Sequence, residues 1–140
     1  MKENKGITLI NLVVYVVGFT VIIGIVTVII SFINTNIVQM NEATDRVAEY
    51  SKFNLSFVEE VKKINNEVTN ITNNSVEFSS GNKYTFQDNK IYLNKVALVN
   101  NVKKCTFELI NIDYKQVVAV NMEIGKGTTI TRNVRYVLTE

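Results

Sequence analysis

Histidine and proline are absent from the 140 residues, and cysteine occurs once, at Cys105. Without histidine the chain lacks the commonest metal ligand and every catalytic triad that needs an imidazole, and a lone cysteine excludes an internal disulfide. No paired carboxylates stand out either, so the sequence calls for no enzyme activity and no cofactor. Charge is also missing over a long interval. From Gly6 to Asn41, 36 consecutive positions hold no charged side chain, and Ile7 to Ile33 is apolar apart from Thr8, Asn11, Thr20, Thr27 and Ser31. As a helix at about 1.5 Å per residue, those 27 positions extend ~40 Å, enough to cross a hydrocarbon layer of about 30 Å. A domain this small has too little interior to bury such a rod.

The remainder suffices for one small domain of about a hundred residues. Fifteen basic and 13 acidic residues give a net charge of +2. They are scattered, with no basic stripe for a nucleic acid. Lys2 and Lys5 outweigh Glu3 before the apolar run, which by the positive-inside tendency predicts a single pass with the N-terminus in the cytoplasm and the C-terminus outside. The run exceeds the 7 to 15 residues of an ordinary secretory signal and has no small-residue cleavage site behind it.

From Glu42 the composition turns polar while helical spacing continues. Val47, Tyr50, Phe53 or Asn54, Phe57 or Val58, Val61, Ile64 and Val68 recur at three and four, which predicts an amphipathic continuation of the helix over 34–74 with its polar loop. The opposite face carries Glu42, Asp45, Arg46, Glu49, Glu59, Lys62 and Lys63, with Glu59 and Lys63 spaced to pair; Glu59 and Glu60 are read as solvated. The asparagines at 65, 66, 70, 73 and 74 end the helix between Asn65 and Asn74.

Beyond Asn74 the period becomes two. Val76–Phe78, Tyr84–Phe86 and Ile91–Leu93, separated by Ser80-Gly81-Asn82 and Asp88-Asn89, predict a three-stranded meander. A connector from Val96 to Val102 follows. Cys105–Leu109, Val118–Ile124 and Ile130–Leu138 predict a second meander broken at Asp113–Gln116 and at Gly125-Lys126-Gly127, the latter a hairpin turn and not a phosphate loop. Cys105 falls on an apolar alternation and is expected in the core. The fold class is therefore α+β: a long N-terminal helix, membrane-spanning over 7–33, packed through its second half on an antiparallel β-sheet domain at 75–140.

The stretch Lys5-Gly6-Ile7-Thr8-Leu9-Ile10-Asn11-Leu12 resembles the class III signal of type IV pilins and type II secretion pseudopilins: a short charged leader ending in glycine, a methylatable apolar residue, then T-L-[IV]-E-[LVM]. The resemblance covers the motif, the apolar helix and the sheet layout. It implies a leader over 1–6, cleavage between Gly6 and Ile7 by a prepilin peptidase that recognises Lys5, Gly6, Thr8, Leu9 and Ile10, and methylation of the new Ile7 amine. It further implies an inner-membrane assembly platform and other minor and major pilins as partners, with residence in the cytoplasmic membrane and in an extracellular filament.

One position departs from the pattern. The family has glutamate where this chain has Asn11, and the role ascribed to that glutamate is to pair with a neighbouring subunit's N-terminal ammonium, which asparagine cannot neutralise. By analogy with the pseudopilin lacking this glutamate, Asn11 implies a subunit at the filament tip; tolerated drift in a shaft subunit is the alternative. The order of the C-terminal strands, with Arg135 before Tyr136-Val137-Leu138, is also similar to J-type pseudopilins and PilW-like minor pilins. A different class of function also suits the layout: a single-pass anchored module that displays its sheet domain without polymerising.

Overall fold

The computed structural model describes residues 3–112 and 114–139, with side chains described from Thr8 onward. The chain divides into two compact units, Met1–Asn41 and Glu42–Glu140. Helix α1, Glu3–Val61, supplies all the secondary structure of the first unit and the helical part of the second.

In the first unit the helix forms because an unbroken apolar run without proline has nothing to interrupt its hydrogen-bond ladder. The span qualifies by length and composition to cross a membrane: its most apolar window has a mean hydropathy of 2.8, and none of that window is buried. Four of the hydroxyls within it bond to the helix itself. Thr20 donates to the Val16 carbonyl at 2.7 Å, Thr27 to Ile23 at 2.8 Å, Ser31 to Thr27 at 3.0 Å and Thr35 to Ser31 at 2.9 Å.

The second unit is the α+β domain expected. Five antiparallel strands form one sheet in sequential order: β1 (Val68–Thr72), β2 (Ser75–Phe78), β3 (Lys83–Gln87), β4 (Lys90–Leu93) and β5 (Val96–Val99). Three longer antiparallel strands form the other: β6 (Val102–Ile112), β7 (Lys115–Ile124) and β8 (Ile130–Val137). The last turns of α1 cover both. Phe53, Phe57 and Val61, one turn apart, are buried on the inward residues of the two sheets. Phe57 is the hub, with ring centroids 4.8 Å from Tyr136, 4.9 Å from Tyr84, 5.6 Å from Phe78 and 6.3 Å from Phe107. It thereby joins the two sheets through side chains.

The helix ends earlier than its spacing suggests. It stops at Val61, short of the interval from Asn65 to Asn74; beyond it the chain turns through Asn65, with a left-handed φ of 58°, and the Asn66 amide returns to the Glu60 carbonyl at 2.8 Å. Ile64 consequently lies beyond the apolar stripe and is exposed, as is Val47 on the helix, and Val68 opens β1. The polar loop expected up to residue 74 thus contains a strand. So does the connector, since Val96–Val99 pairs with β4 through a tight Asn94-Lys95 turn in which both residues have positive φ. Such a two-residue turn matches the right-handed twist of its flanking strands, as does the Asp88-Asn89 turn between β3 and β4. Of the break expected at Asp113–Gln116, Asp113 lies outside the described residues, while Lys115 and Gln116 already belong to β7.

Candidate functional site

The residues singled out by the sequence lie at the start of α1. Thr8, Leu9, Ile10 and Asn11 are helical and exposed, Leu9 and Ile10 each by more than 60%. The backbone of Lys5, Gly6 and Ile7 falls within the helix; their side chains, and residues Met1 and Lys2, lie outside the described residues. Positions 7 and 11 are one turn apart on this helix. From Gly6 to Asn41 there is no carboxylate, so this segment has no group of its own to neutralise an ammonium, and Asn11 brings only an amide. The chemistry offered is that of an exposed apolar surface on which the hydroxyls of Thr20, Thr27, Ser31 and Thr35 bond back to the helix.

At the start of the second unit, the helix side chains hold the loops between strands. Arg46 donates through Nη1 to the Thr128 carbonyl at 3.1 Å and lies 3.8 Å from Glu42. Glu49 accepts the Asn100 amide at 2.7 Å and Lys52 at the same distance. Gly125 permits the approach of the β7–β8 turn: its φ is 142°, and a Cβ there would lie 2.3 Å from the Thr128 carbonyl oxygen.

Glu60 is the largest departure from the sequence reading. It is 2% exposed, not solvated, and its carboxylate receives Lys63 Nζ at 2.7 Å, Asn66 Nδ2 at 2.7 Å, Asn82 Nδ2 at 2.6 Å and the Ser80 hydroxyl. Lys63 therefore pairs with Glu60, three residues before it, and not with Glu59. Burial pushes the Glu60 carboxyl up, but the bonds from Lys63, Ser80, Asn82 and Asn66 together outweigh it and hold the carboxyl below its usual range. A carboxylate in the last turn of a helix faces the negative end of the helix dipole, so a set of donors is what keeps it ionised there. Asn66 extends the clasp by accepting the Ser80 amide at 3.1 Å. The signal in the sequence was the crowding of asparagine and serine around Asn65–Asn82, which marks turns but does not name their acceptor.

Cys105 is 1% exposed on β6, as its alternation predicted, and burial pushes its thiol up to about 12. It is a neutral core side chain at physiological pH. A groove of about 840 Å³ lies open on the outer face of the five-stranded sheet among Lys83, Thr85, Gln87, Tyr92 and Asn94. Its carboxylate, Glu77, faces Lys83 at 3.5 Å.

No family model, curated protein or solved structure matches this chain.

Proposed function

We propose that this chain is a minor type IV pilin or type II pseudopilin subunit, processed between Gly6 and Ile7 and incorporated at or near the tip of a filament to prime its assembly. The observation that carries the reading is that Lys5-Gly6-Ile7-Thr8-Leu9-Ile10 opens an apolar, unburied helix which is the same element, Glu3–Val61, that supplies the core of a sheet domain. A peptidase cutting on the cytoplasmic side leaves that helix intact for lateral packing against the helices of other pilins. In this reading the chain first sits in the cytoplasmic membrane with its sheet domain outside, and an inner-membrane platform transfers it to the fibre. Asn11 supports the tip position: lacking a carboxylate, the subunit does not pair with the ammonium of a subunit already docked above it, and it belongs where no subunit precedes it.

Intact-mass measurement on the chain from its native host tests this directly. The expected mass is that of a chain beginning at Ile7 and carrying one added methyl group, and Gly6→Phe should leave the full precursor. The same absence of a carboxylate suits the second reading, an anchored display module that does not polymerise. A native chain still starting at Met1, unmethylated and absent from sheared fibres, would replace the first reading with the second.

A further inference from the structure

We infer that the outer edge of β8 is a docking strand for an extended, acidic segment of a partner protein. The pairing register fixes which groups are available. Leu138 donates its amide to the Gln116 carbonyl at 3.0 Å, so in the β7–β8 ladder the even-numbered residues of β8 exchange hydrogen bonds with β7. Thr131, Asn133, Arg135 and Val137 therefore turn their N–H and C=O groups away from the sheet. All four residues are exposed, and among the described residues nothing hydrogen-bonds to the edge at these four positions; just past them, the outward amide of Thr139 donates to the Val61 carbonyl at 3.1 Å and closes the edge at that end.

The other edges are occupied or short. Phe107 of β6 donates to the Asn73 carbonyl at 3.1 Å, and Val68 of β1 donates to the Gln116 side chain at 3.3 Å. β5 has four residues and an irregular register against β4. β8 has eight residues, and its register with β7 runs without a shift. It has neither a proline nor a bulge to block pairing, and its guards are the two charges Arg132 and Arg135.

Charge selects the occupant. β8 carries two cations and no anion. The guanidinium of Arg132 lies 5.6 Å from the centre of the Tyr50 ring on the inward face. Arg135 stands on the outward face opposite Ala119, and among the described residues it has no ion-pair partner. A strand added alongside would place its own side chains next to Arg135, where an acid is favoured and a base disfavoured. A second copy pairing through its own β8 would gather four arginines at one seam, so the edge is not complementary to itself. This inference stands apart from the filament reading: a docking edge requires no processing at Gly6.

The probe is a labelled ten-residue peptide with glutamate at alternate positions and valine or threonine between, offered to the full chain in detergent micelles. Saturable binding is expected, with slowed amide exchange at Thr131, Asn133, Arg135 and Val137. A peptide with lysine replacing glutamate should bind about tenfold more weakly, and Arg135→Glu should reverse that order. Asn133→Pro removes an outward N–H while leaving the bonds to β7, and should abolish binding. Equal binding of the two peptides, no binding of either, protection confined to other strands, or an order unchanged in Arg135→Glu would overturn the inference. If Asn133→Pro does not fold, the Arg135→Glu comparison decides alone.

Discussion

Glu60 shows how a single side chain ties a helix end to a sheet. Its four donors come from Lys63 and Asn66 just past the helix and from Ser80 and Asn82 in the β2–β3 turn, so neutralising it loosens both at once. Glu60→Gln keeps the shape but puts an amide N–H₂ against donors, and should destabilise the domain by about 1–3 kcal/mol, read from thermal or denaturant unfolding. The pH dependence follows from the lowered carboxyl. Its contribution is present in full above the ordinary glutamate range, about 4.3, and is lost as pH falls through the lower folded value, so the wild-type and Glu60→Gln stability curves should converge in acid. Spacing separates Glu60 from Glu59, since Glu60 lies three residues after Phe57 on the buried face and Glu59 does not. What the sequence does not reveal is the return of the β2–β3 turn to the helix end, which supplies the donors that let a carboxylate sit there. Asn11 is the opposite case, visible in the sequence as a substitution within a motif. Under the proposed filament function, Asn11→Glu should shift the subunit from the tip toward the shaft, and immunogold labelling of the native chain along the shaft would refute the tip proposal.

The elements were legible in proportion to how much of their pattern is local. The apolar run of α1, the three alternating stretches of β2 to β4 and those of β6 to β8 all declare themselves by period. β1 and β5 do not. Val-Thr-Asn-Ile-Thr lies inside an asparagine-rich interval that reads as loop, and Val-Ala-Leu-Val has no polar partner to show alternation. Both are strands because neighbouring strands offer them a ladder, which is a tertiary fact. The Asn94-Lys95 turn that brings β5 back has Lys95 at φ 74°, where a side chain is disfavoured. Lys95→Gly should therefore stabilise the hairpin by roughly 1 kcal/mol, measurable as a raised unfolding midpoint. At the centre of the core, Phe57→Ala removes the ring that links both sheets and should cost about 3–5 kcal/mol, whereas Leu55→Ala on the exposed face of the same helix should change stability by less than about 0.5 kcal/mol.

For the whole molecule, the buried core from Phe53 to Leu138 lies entirely within the unit that begins at Glu42. A chain starting at Glu42 is expected to fold with the same core and to remain soluble without detergent, checked by circular dichroism and amide dispersion. The full chain should need a membrane or detergent. That division was readable from composition alone, because charge disappears at Gly6 and returns at Glu42. The open edge of β8 was not readable in the same way, since it depends on the register of β8 against β7.

The hydroxyls of Thr20, Thr27, Ser31 and Thr35 each return to a carbonyl one turn back. A helix built this way keeps those four hydroxyls satisfied when its surroundings change. It can pass from acyl chains to a bed of side chains with its internal bonding unaltered, and the difference between the two settings rests on how closely the new neighbours fit.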